Sequence, residues 1–319
     1  MGERREAPDS TPGERHSRAW LTGVLGRHGI TAGRTLGQHF MWHEPTLTRL
    51  AAAAEVRPGV PVLEVGPGVG VLTCALRATG ARVTAVELDR RLRPALWEVL
   101  GAGPPPAVPA VDPPRVEEWA GDLRLVWADA VRLSWDELAA ADAGPWRLCS
   151  NLPYYITGPF LAAFLEGGLA WSTAALVVQA EGAQRMLAEP GGKAYGAFTC
   201  LVRYYADVEQ LFTVPRAAFL PPPRVESVAI RLRRLAAPPC AGRPRDLRRV
   251  VRAAFGQRRK TLRNALAAGL GLDRDAVGDL LATAGIDGDR RAETLDLTEF
   301  GRLASAWADL APSEAAPGI

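Results

Sequence analysis

Apolar runs with two different periods alternate along the chain and predict a mixed α/β fold. Seven short runs are typical of buried strands, and most lead into stretches where apolar residues recur at helical spacing. The strand-like runs are "PVLEV", "ARVTAVELD", "LRLVWADAV", "WRLCSNLP", "STAALVVQ", "DVEQLFTVP" and "VESVAIRLRRL". Strands that alternate with helices predict a mainly parallel sheet with helices on both faces. We therefore expect an α/β protein whose sheet has seven strands, to within one.

Beyond these strands the pattern becomes helical. A segment rich in Pro and Gly, "AAPPCAGRP", precedes three stretches with helical spacing, which predict a small C-terminal helical domain. The proline-rich segment at 101–114 is predicted to be a loop. The predicted organisation is a flexible arm at 1–17, a larger α/β domain at 18–236, the helical domain at 237–310 and a flexible tail at 311–319.

Composition excludes several classes of protein. The chain has 319 residues, of which 48% are hydrophobic, enough to form a substantial core. No apolar run approaches the length of a membrane span, and the first residues lack the apolar centre of a signal peptide. The four cysteines are scattered and form no CxxC pair, so we expect neither disulfides nor a metal site. These features favour a cytoplasmic protein with no membrane partner.

Charge is distributed unevenly along the chain. The net charge is only +3, but the segment from Arg216 to Arg263 holds fourteen Lys and Arg and two acids. A basic block in an otherwise acidic chain is typical of a surface that binds a polyanion such as nucleic acid. The alternative is a solvated helix face in a protein that uses arginine freely, and charge alone leaves both interpretations open.

Three successive strand ends carry residues suited to a nucleoside ligand. "LEVGPGVG" places Gly66, Gly68 and Gly70 directly after the first strand, where the backbone can approach a ligand closely. The second strand ends at Glu87, which suits ribose hydroxyls, and the third at Asp129, which suits an adenine amino group. The turn has the pattern GxGxG rather than GxGxxG, which favours S-adenosylmethionine over NAD. Helix capping by the two acids is the alternative.

The fourth strand ends in "SNLPYYITGPF", which combines an amide, a proline and an aromatic ring. An adenine amino group is a weak nucleophile because its lone pair is delocalised into the ring. The side-chain carbonyl of Asn151 and a backbone carbonyl at Leu152 or Pro153 could accept both amino hydrogens and direct the lone pair toward a methyl group. Tyr154 could stack on a base held out of its helix. The alternative is a purely structural turn ended by Pro153.

Taken together with "GQHF", "FLPPPRVESVAIRL", "QRRKTLRNAL" and "AETLDLTEF", these motifs resemble the ribosomal RNA adenine dimethyltransferases of the KsgA/RsmA type, from about Gly37 to Leu303. The resemblance implies a Rossmann-like class I methyltransferase sheet with a small helical C-terminal domain, and S-adenosylmethionine as methyl donor. It implies that the partner is 16S rRNA in the assembling 30S ribosomal subunit, where two adjacent adenines near the 3′ end each receive two methyl groups on N6. We expect a monomer.

The resemblance also assigns the residues of the site. Cofactor contacts are expected at His39, Met41, Gly66, Gly68, Gly70, Glu87, Leu88, Asp129, Ala130 and Asn151. Contacts to the reacting base are expected at Asn151, Leu152, Pro153, Tyr154 and Phe219. Phe219 heads the proline motif and would form the second face of an aromatic clamp. As a motif by itself, "FLPPPRV" favours a rigid turn that leads into the last strand.

The resemblance and the helical spacing together predict what the basic block does. Apolar residues between Val250 and Leu266 keep helical spacing, so the basic residues around them should lie outside the core. We expect these residues to bind rRNA phosphates. They are Arg248, Arg249, Arg252, Arg258, Arg259, Lys260 and Arg263.

Some positions depart from the family pattern. His39 stands where the family usually has Asn, Met41 where Leu is common, Ser150 where Gly usually precedes the Asn-Leu-Pro-Tyr motif, and Ala180 where Lys is usual. His39 has the alternative of packing or capping its loop. These departures concern the N-terminal cofactor contacts rather than the motif at Asn151.

Three other functions fit parts of the pattern. The antibiotic-resistance branch methylates 23S rRNA with the same fold and chemistry, but lacks the pair of C-terminal motifs. A DNA adenine methyltransferase would typically carry a second proline where this chain has Leu152. A non-catalytic assembly factor on the same fold would not need intact glycine, Glu87 and Asn151 positions, and would fail to bind S-adenosylmethionine.

Overall fold

The structure is a computed structural model. It describes residues 17–31, 38–103, 116–120, 122–140, 142, 144–257 and 259–310. All but the last residue of the predicted arm, the whole predicted tail at 311–319 and most of the proline-rich segment lie outside the described residues.

Helices and strands alternate as the apolar pattern predicts. The helices are α1 Arg18–Arg27, α2 Glu44–Ala53, α3 Val71–Ala78, α4 Arg93–Leu100, α5 Trp135–Ala139, α6 Thr157–Glu166, α7 Ala180–Leu187, α8 Ala197–Tyr205, α9 Pro244–Phe255, α10 Leu262–Leu270, α11 Arg274–Ala284 and α12 Leu297–Leu310. The strands are β1 Phe40–Met41, β2 Pro61–Val65, β3 Arg82–Glu87, β4 Val116–Ala120, β5 Leu123–Trp127, β6 Trp146–Asn151, β7 Trp171–Gln179, β8 Ala206–Val214, β9 Phe219–Leu220 and β10 Ser227–Arg234.

One large sheet contains all seven predicted strands. Across the described residues its order is β4-β5-β3-β2-β6-β7-β10-β8. The central pairs β5–β3, β3–β2, β2–β6 and β6–β7 are parallel. The eighth strand, β4, follows the proline-rich segment and pairs antiparallel with β5 at the sheet edge. Its sequence "VEEWA" lacks the apolar run that marked the other strands, which explains why the pattern did not predict it.

The order of the strands creates a site for ligands. The chain runs outward from β2 to β3 and β5, and later resumes at β6 on the other side of β2. Such a reversal leaves a crevice outside the carboxyl ends of the strands. The glycine turn follows β2, and Asn151 ends β6, so the two motifs flank this switch point.

A second, two-stranded sheet brings the N-terminal segment to the proline motif. The segment "HFMW" contains β1, which pairs antiparallel with β9 so that Phe40 lies opposite Leu220 and Met41 opposite Phe219. A two-residue strand is too short to show a period in the sequence. This pairing anchors the residues before β1 beside the switch point.

The contacts between residues divide the chain into two compact units. Unit 1 comprises residues 1–180 and 209–232, and unit 2 comprises 181–208 and 233–319. The division differs from the predicted boundary at 236, because α7 and α8 belong with the C-terminal helices. In unit 2, Tyr195, Cys200 and Tyr204 share an apolar core with α9 to α12, which explains this grouping.

The helical core of unit 2 depends on small residues and local caps. A Cβ placed on Gly269 would lie 2.5 Å from the Cβ of Ala253, so α9 and α10 pack at contact distance. Asp296 and Glu299 exchange hydrogen bonds at the start of α12, since each carboxylate accepts the other residue's backbone amide at 2.7 and 3.0 Å. The motif "AETLDLTEF" therefore starts a helix. Within the described ranges no helix is long and apolar enough to cross a bilayer.

Candidate functional site

A cavity opens at the switch point of unit 1, and we call it the switch-point cavity. Its wall is formed by Gln38, His39, Phe40, Met41, Glu64, Gly66, Pro67, Gly68, Val69, Val71, Leu72, Glu87, Leu88, Asp89, Leu92, Asn151, Leu152, Pro153, Tyr154 and Tyr155. The predicted residues among them come from the segment before α2, the glycine turn, the end of β3 and the motif after β6. The fold therefore brings together four stretches that are far apart in the sequence.

The glycine turn is shaped by backbone conformations that only glycine adopts easily. Gly66, Gly68 and Gly70 have φ of +69°, +60° and +88°. A Cβ on Gly66 would also lie 3.0 Å from the ring of Pro153, and one on Gly68 would lie 3.0 Å from the ring of Phe40. The turn must therefore be free of side chains both for its conformation and for its closeness to the other walls of the cavity.

Glu87 holds the glycine turn as well as facing the cavity. Its Oε1 accepts the amides of Leu88 and Asp89 at 2.8 Å each, and its Oε2 accepts the amide of Gly68 at 3.1 Å. Burial raises the pKa of Glu87 to about 7, and these amide hydrogen bonds oppose the rise. A carboxylate can accept about four hydrogen bonds. One position therefore stays open for a ribose hydroxyl.

Glu64 is a cavity residue that the sequence reasoning did not identify. It lies in β2 with 1% of its surface exposed, and among the described residues nothing donates to its Oε2. Burial raises its pKa to about 8, the nearby Thr73 hydroxyl opposes the rise, and the charge of Glu87 adds to it. A buried carboxyl oxygen without a donor is costly unless a ligand completes it. The signal in the sequence was an acid inside an otherwise apolar strand.

Asn151 is oriented by the segment before α2. Its Nδ2 donates to the backbone carbonyl of His39 at 3.1 Å, which fixes the direction of the amide. Its Oδ1 is buried, and no described group donates to it. The oxygen therefore remains available to accept a hydrogen bond from an amine in the cavity. The carbonyl of Pro153 already accepts the amide of Ile156 at 3.1 Å, but a carbonyl can accept a second donor.

Tyr154 is held by a hydrogen bond at its far end. Its hydroxyl lies 2.6 Å from the Oγ of Ser227, which is fully buried at the start of β10. The ring lies 5.8 Å from the ring of His39, at an interplanar angle of 30°. His39 in turn shares a hydrogen bond between its Nδ1 and the carbonyl of Pro221 at 2.8 Å. Ser227 is thus a second residue that sequence reasoning missed.

Two large side chains stand exposed on the rim of the cavity. Leu88 follows Glu87, and Tyr155 follows Tyr154; each is 51% exposed, which is unusual for such side chains. Burial raises the pKa of the Tyr155 phenol, with smaller contributions from the carboxylates of Glu87, Asp129 and Asp89. Both apolar surfaces suit the faces of a nucleoside base.

Four predicted residues lie outside the wall of the cavity. Gly70 directly precedes α3 as its N-cap, and Asp129 accepts the amide of Val131 at 2.9 Å as the cap of a helical turn that contains buried Ala130. The capping alternative therefore describes Asp129 in this structure. Phe219 is only 1% exposed and packs in the core opposite Met41. In this conformation Phe219 is not positioned to form the second face of a clamp.

Ser150 has a structural contact rather than a place in the cavity. Its hydroxyl donates to the carbonyl of Val65 at 2.5 Å, and the side chain is completely buried between β6 and β2. The departure from the family's usual Gly thus adds a bond between the two strands that flank the switch point.

The predicted RNA-binding residues divide into separate groups in unit 2. Arg248, Arg249 and Arg252 lie exposed along α9, and Arg259 and Lys260 lie exposed after it. Arg258 lies outside the described residues. Arg263 is half-buried, and its guanidinium lies 3.1 Å from the position of a Cβ on Gly288. Arg263 therefore packs against a loop of unit 2, which we had not expected.

The site contains no cluster that would suggest a metal. In the part of the chain that the structure describes, no group of three or more His, Cys, Asp or Glu is arranged to hold a metal ion.

The family model and the curated relatives that match this chain point to one family. A family model described as ribosomal RNA adenine dimethylase matches residues 30–306. The ribosomal RNA small subunit methyltransferase A of Pelotomaculum thermopropionicum is 40% identical over 296 residues, which cover 90% of this chain and 95% of the relative. The protein of the same name from Phenylobacterium zucineum is 41% identical over 299 residues, covering 93% of this chain and 96% of the relative.

Two solved structures share the fold. A dimethyladenosine transferase from Plasmodium falciparum matches with a TM-score of 0.64 and 21% identity, covering 85% of this chain and 98% of that one. The 23S rRNA methyltransferase ErmE matches with a TM-score of 0.57 and 27% identity, covering 84% and 98%. The class I methyltransferase fold expected from the motifs is therefore confirmed.

Proposed function

The chain belongs to the ribosomal RNA adenine dimethylase family, and from this premise we propose how it acts as an rRNA adenine dimethyltransferase. The substrate is 16S rRNA, and the product carries two methyl groups on N6 of each of two adjacent adenines near the 3′ end. The methyl donor is S-adenosylmethionine. The protein acts as a monomer on the assembling 30S subunit in the cytoplasm.

The unpaired Oδ1 of Asn151 is the observation that carries this proposal. The carbonyl of His39 accepts a hydrogen bond from the Asn151 Nδ2, Asn151 lines the cavity, and no described group donates to its Oδ1. It would accept one hydrogen of the adenine amino group, and the backbone carbonyl of Leu152 or Pro153 would accept the other. Both hydrogen bonds pull electron density toward the amino nitrogen and direct its lone pair. The amino nitrogen would receive the methyl group of S-adenosylmethionine, whose carbon–sulfur bond breaks to leave a neutral thioether, and would release one proton to water.

The residues of the cavity fit S-adenosylmethionine, which supplies a sulfonium methyl group when bound. The turn around Gly66 and Gly68 offers a backbone surface without side chains, and Glu87 has one position open for a ribose hydroxyl. Glu64 offers a buried carboxyl oxygen to a cationic group such as an amino acid ammonium. Leu88 and Tyr155 offer apolar surfaces to the adenine. The residues that line the cavity therefore offer a contact to the ribose, the amino acid ammonium and the adenine of this ligand.

Recognition of the RNA would use both units. Tyr154 would stack on the reacting adenine, a contact worth about 1–3 kcal/mol per base. The exposed basic residues of unit 2, Arg248, Arg249, Arg252, Arg259 and Lys260, would contact rRNA phosphates. Arg258 is proposed for the same role on sequence grounds.

Mass spectrometry of rRNA methylated in vitro tests the proposal directly. We expect two adjacent dimethylated adenines in the 16S rRNA of 30S subunits that lack this modification, and none in 50S subunits. Methylation of 23S rRNA would instead support the second candidate function, which the likeness to ErmE favours. The absence of both methyl transfer and S-adenosylhomocysteine binding would support a non-catalytic assembly factor and refute the proposal.

A further inference from the structure

The large sheet of unit 1 consists of two halves, and each half carries one part of the candidate site. In one half, β2 pairs with β3 up to Val65 and Val86, and the amide of Gly66 donates to the Val86 carbonyl at 2.8 Å. In the other half, β6 pairs with β7 up to Asn151 and Val177. The first half therefore fixes the glycine turn, and the second fixes the side chain that accepts the amine.

The backbone of β2 and β6 joins the two halves at some distance from the site. The paired positions between these strands run only to Leu63 and Leu148. From there β2 continues to Val65, and β6 continues to Asn151. Neighbouring strands are rotated relative to each other by the twist of the sheet, so their ends separate unless another contact holds them together.

The side chain of Ser150 supplies a bond at the ends of the strands. Its hydroxyl donates to the carbonyl of Val65 at 2.5 Å, and the side chain is completely buried. These two residues directly precede Asn151 and Gly66, the residues that carry the two parts of the site. A Cβ on Gly66 would lie 3.0 Å from the ring of Pro153, so the halves lie close together here. The hydroxyl therefore fixes the spacing between the glycine turn and the amine acceptor.

This spacing matters for transfer of a methyl group from one half to the other. The donor would lie against the glycine turn, and the amine would be held by Asn151. The reacting atoms must approach to about 3–3.5 Å in line, and a misplacement of about 1 Å can cost about 100-fold in rate. Each ligand can bind to its own half without this spacing. Loss of the Ser150 bond should therefore lower the rate of transfer more than it lowers either affinity.

We propose that Ser150 is a positioning residue for methyl transfer, which holds the glycine turn and Asn151 at the distance that the reaction requires. The proposal rests on the proposed function, because it takes a methyl donor and an amine as the two ligands. Ser150 departs from the family's usual Gly, so the dependence is expected of this chain, in which β2 and β6 pack around the hydroxyl. The competing role is purely structural, with stability but not the rate depending on the bond.

Single-turnover methyl transfer from labelled S-adenosylmethionine to 30S subunits that lack the modification tests the role, with the full-length protein. Ser150→Ala removes the hydroxyl and keeps the Cβ. The matched control is Thr173→Val, which removes another buried hydroxyl near the amino end of β7, at the opposite end of the strands from the site. We expect Ser150→Ala to lower the rate constant of transfer by about tenfold. The control should keep the rate of the unmodified protein.

Affinities and a conservative variant separate positioning from a structural role. In Ser150→Ala the Kd for S-adenosylhomocysteine and the half-saturating concentration of 30S subunits should each change by less than about twofold. Ser150→Thr keeps the hydroxyl and should restore most of the rate, and Ser150→Gly should show the same loss as Ser150→Ala. Thermal unfolding shows the temperature range in which each variant is folded, and the rates are compared within it.

Three results would overturn the positioning role. The first is an unchanged rate of transfer in Ser150→Ala. The second is an equal loss of rate in Ser150→Ala and in folded Ser150→Thr, because packing rather than the hydroxyl would then matter. The third is a loss of affinity for S-adenosylhomocysteine as large as the loss of rate, which would place the defect in the cofactor half alone.

The unmodified protein in the same assay tests the proposed function separately. Transfer to 23S rRNA instead of 16S rRNA would overturn the proposed substrate, and a slower rate of Ser150→Ala on that RNA would still support positioning. Normal transfer to 16S rRNA by Ser150→Ala would overturn the positioning role alone. An unmodified protein that transfers no methyl group to either RNA would overturn both.

Discussion

The switch-point cavity of unit 1 and a groove of unit 2 hold charged groups in opposite ways. We call the second the arginine groove, because Arg245, Arg248, Arg249 and Arg252 of α9 line it. The cavity holds the carboxyl groups of Glu64 and Glu87 buried. Among the described residues, it also leaves single buried atoms such as Asn151 Oδ1 without a hydrogen-bond donor. The groove holds these arginines exposed along α9. Buried polar atoms are costly unless paired in a fixed geometry, whereas exposed charges interact weakly and are screened by salt.

This difference predicts different responses to change. A substitution in the cavity should have a large effect on methyl transfer that salt hardly alters. The reason is that the cavity has few contacts to the ligand and no second residue can replace a lost one. A substitution in the groove should weaken RNA binding only a little, because several arginines contribute to the binding. The effect should grow at low salt, where exposed charges are less screened. The following changes test this contrast, in order of expected size.

Phe219→Ala should have the largest effect, and on stability rather than on catalysis. The side chain is 1% exposed in the core, so its removal should lower the free energy of unfolding by about 3–5 kcal/mol. Urea unfolding measures this loss. Tyr154→Ala serves as the comparison and should lower rRNA methylation with a smaller loss of stability. A Phe219→Ala protein of full stability with weak rRNA binding would show that Phe219 leaves the core to stack on the base.

Asn151→Ala should reduce methyl transfer by at least about 100-fold, the size expected when one oriented group of an active site is removed. Incorporation of labelled methyl groups into 30S subunits measures the rate. Calorimetric titration with S-adenosylhomocysteine should still show binding, which separates a chemical defect from a folding defect. The defect should be equal at low and moderate salt. Turnover at the rate of the unmodified protein would contradict the amine-positioning role.

Glu64→Gln should make stability less dependent on pH. The pKa of Glu64 is raised to about 8 in the folded protein, so the folded state keeps a proton that the unfolded chain releases near pH 4.5. The contribution of protonated Glu64 to the free energy of unfolding is therefore fully present below about pH 4.5. It is lost as the pH rises toward 8. Relative to the unmodified protein, the variant should gain more than about 1 kcal/mol at pH 8 and little at pH 4.5. Thermal unfolding without cofactor measures the difference, and a gain that does not vary with pH would refute it.

Ser227→Ala and Tyr154→Phe should have equal effects that do not add. Each removes the same hydrogen bond of 2.6 Å, which is worth about 0.5–1.5 kcal/mol. The double variant should therefore behave like either single variant when the KM for 30S subunits is measured. Fluorescence of 2-aminopurine at the target position reports whether the base still stacks. Additive losses would show that Ser227 does not position the Tyr154 ring.

Arg249→Gln should have the smallest effect. One lost phosphate contact should lower the salt slope by about one unit and weaken RNA binding by less than about 1 kcal/mol at moderate salt. Fluorescence anisotropy with a fluorescein-labelled RNA duplex measures both the affinity and the salt slope. Loss of binding that salt does not change would indicate that Arg249 acts by packing on Trp307 rather than by its charge.

Residues in apolar strands and glycine turns were the easiest to predict. β2, β3, β5, β6 and β7 all lie on short, mainly apolar runs, and the glycine turn after β2 and the polar residues that end β3 and β6 were expected to meet at one edge. Gly66, Gly68, Glu87 and Asn151 do line one cavity. Ser227 could not be predicted, because its partner Tyr154 lies 73 residues away in the sequence and the hydrogen bond between them leaves no local pattern.

The sequence by itself determined which residue types lie at the ends of the strands, since turn chemistry and the period of apolar residues are local properties. It also determined the family and the total charge of the basic block. Only the tertiary structure decided which of these side chains share a surface. It buried Phe219, packed Arg263 against Gly288, left Asn151 Oδ1 unpaired and arranged four α9 arginines along one groove. These outcomes depend on contacts between segments distant in the chain, and such contacts follow from how the whole core packs.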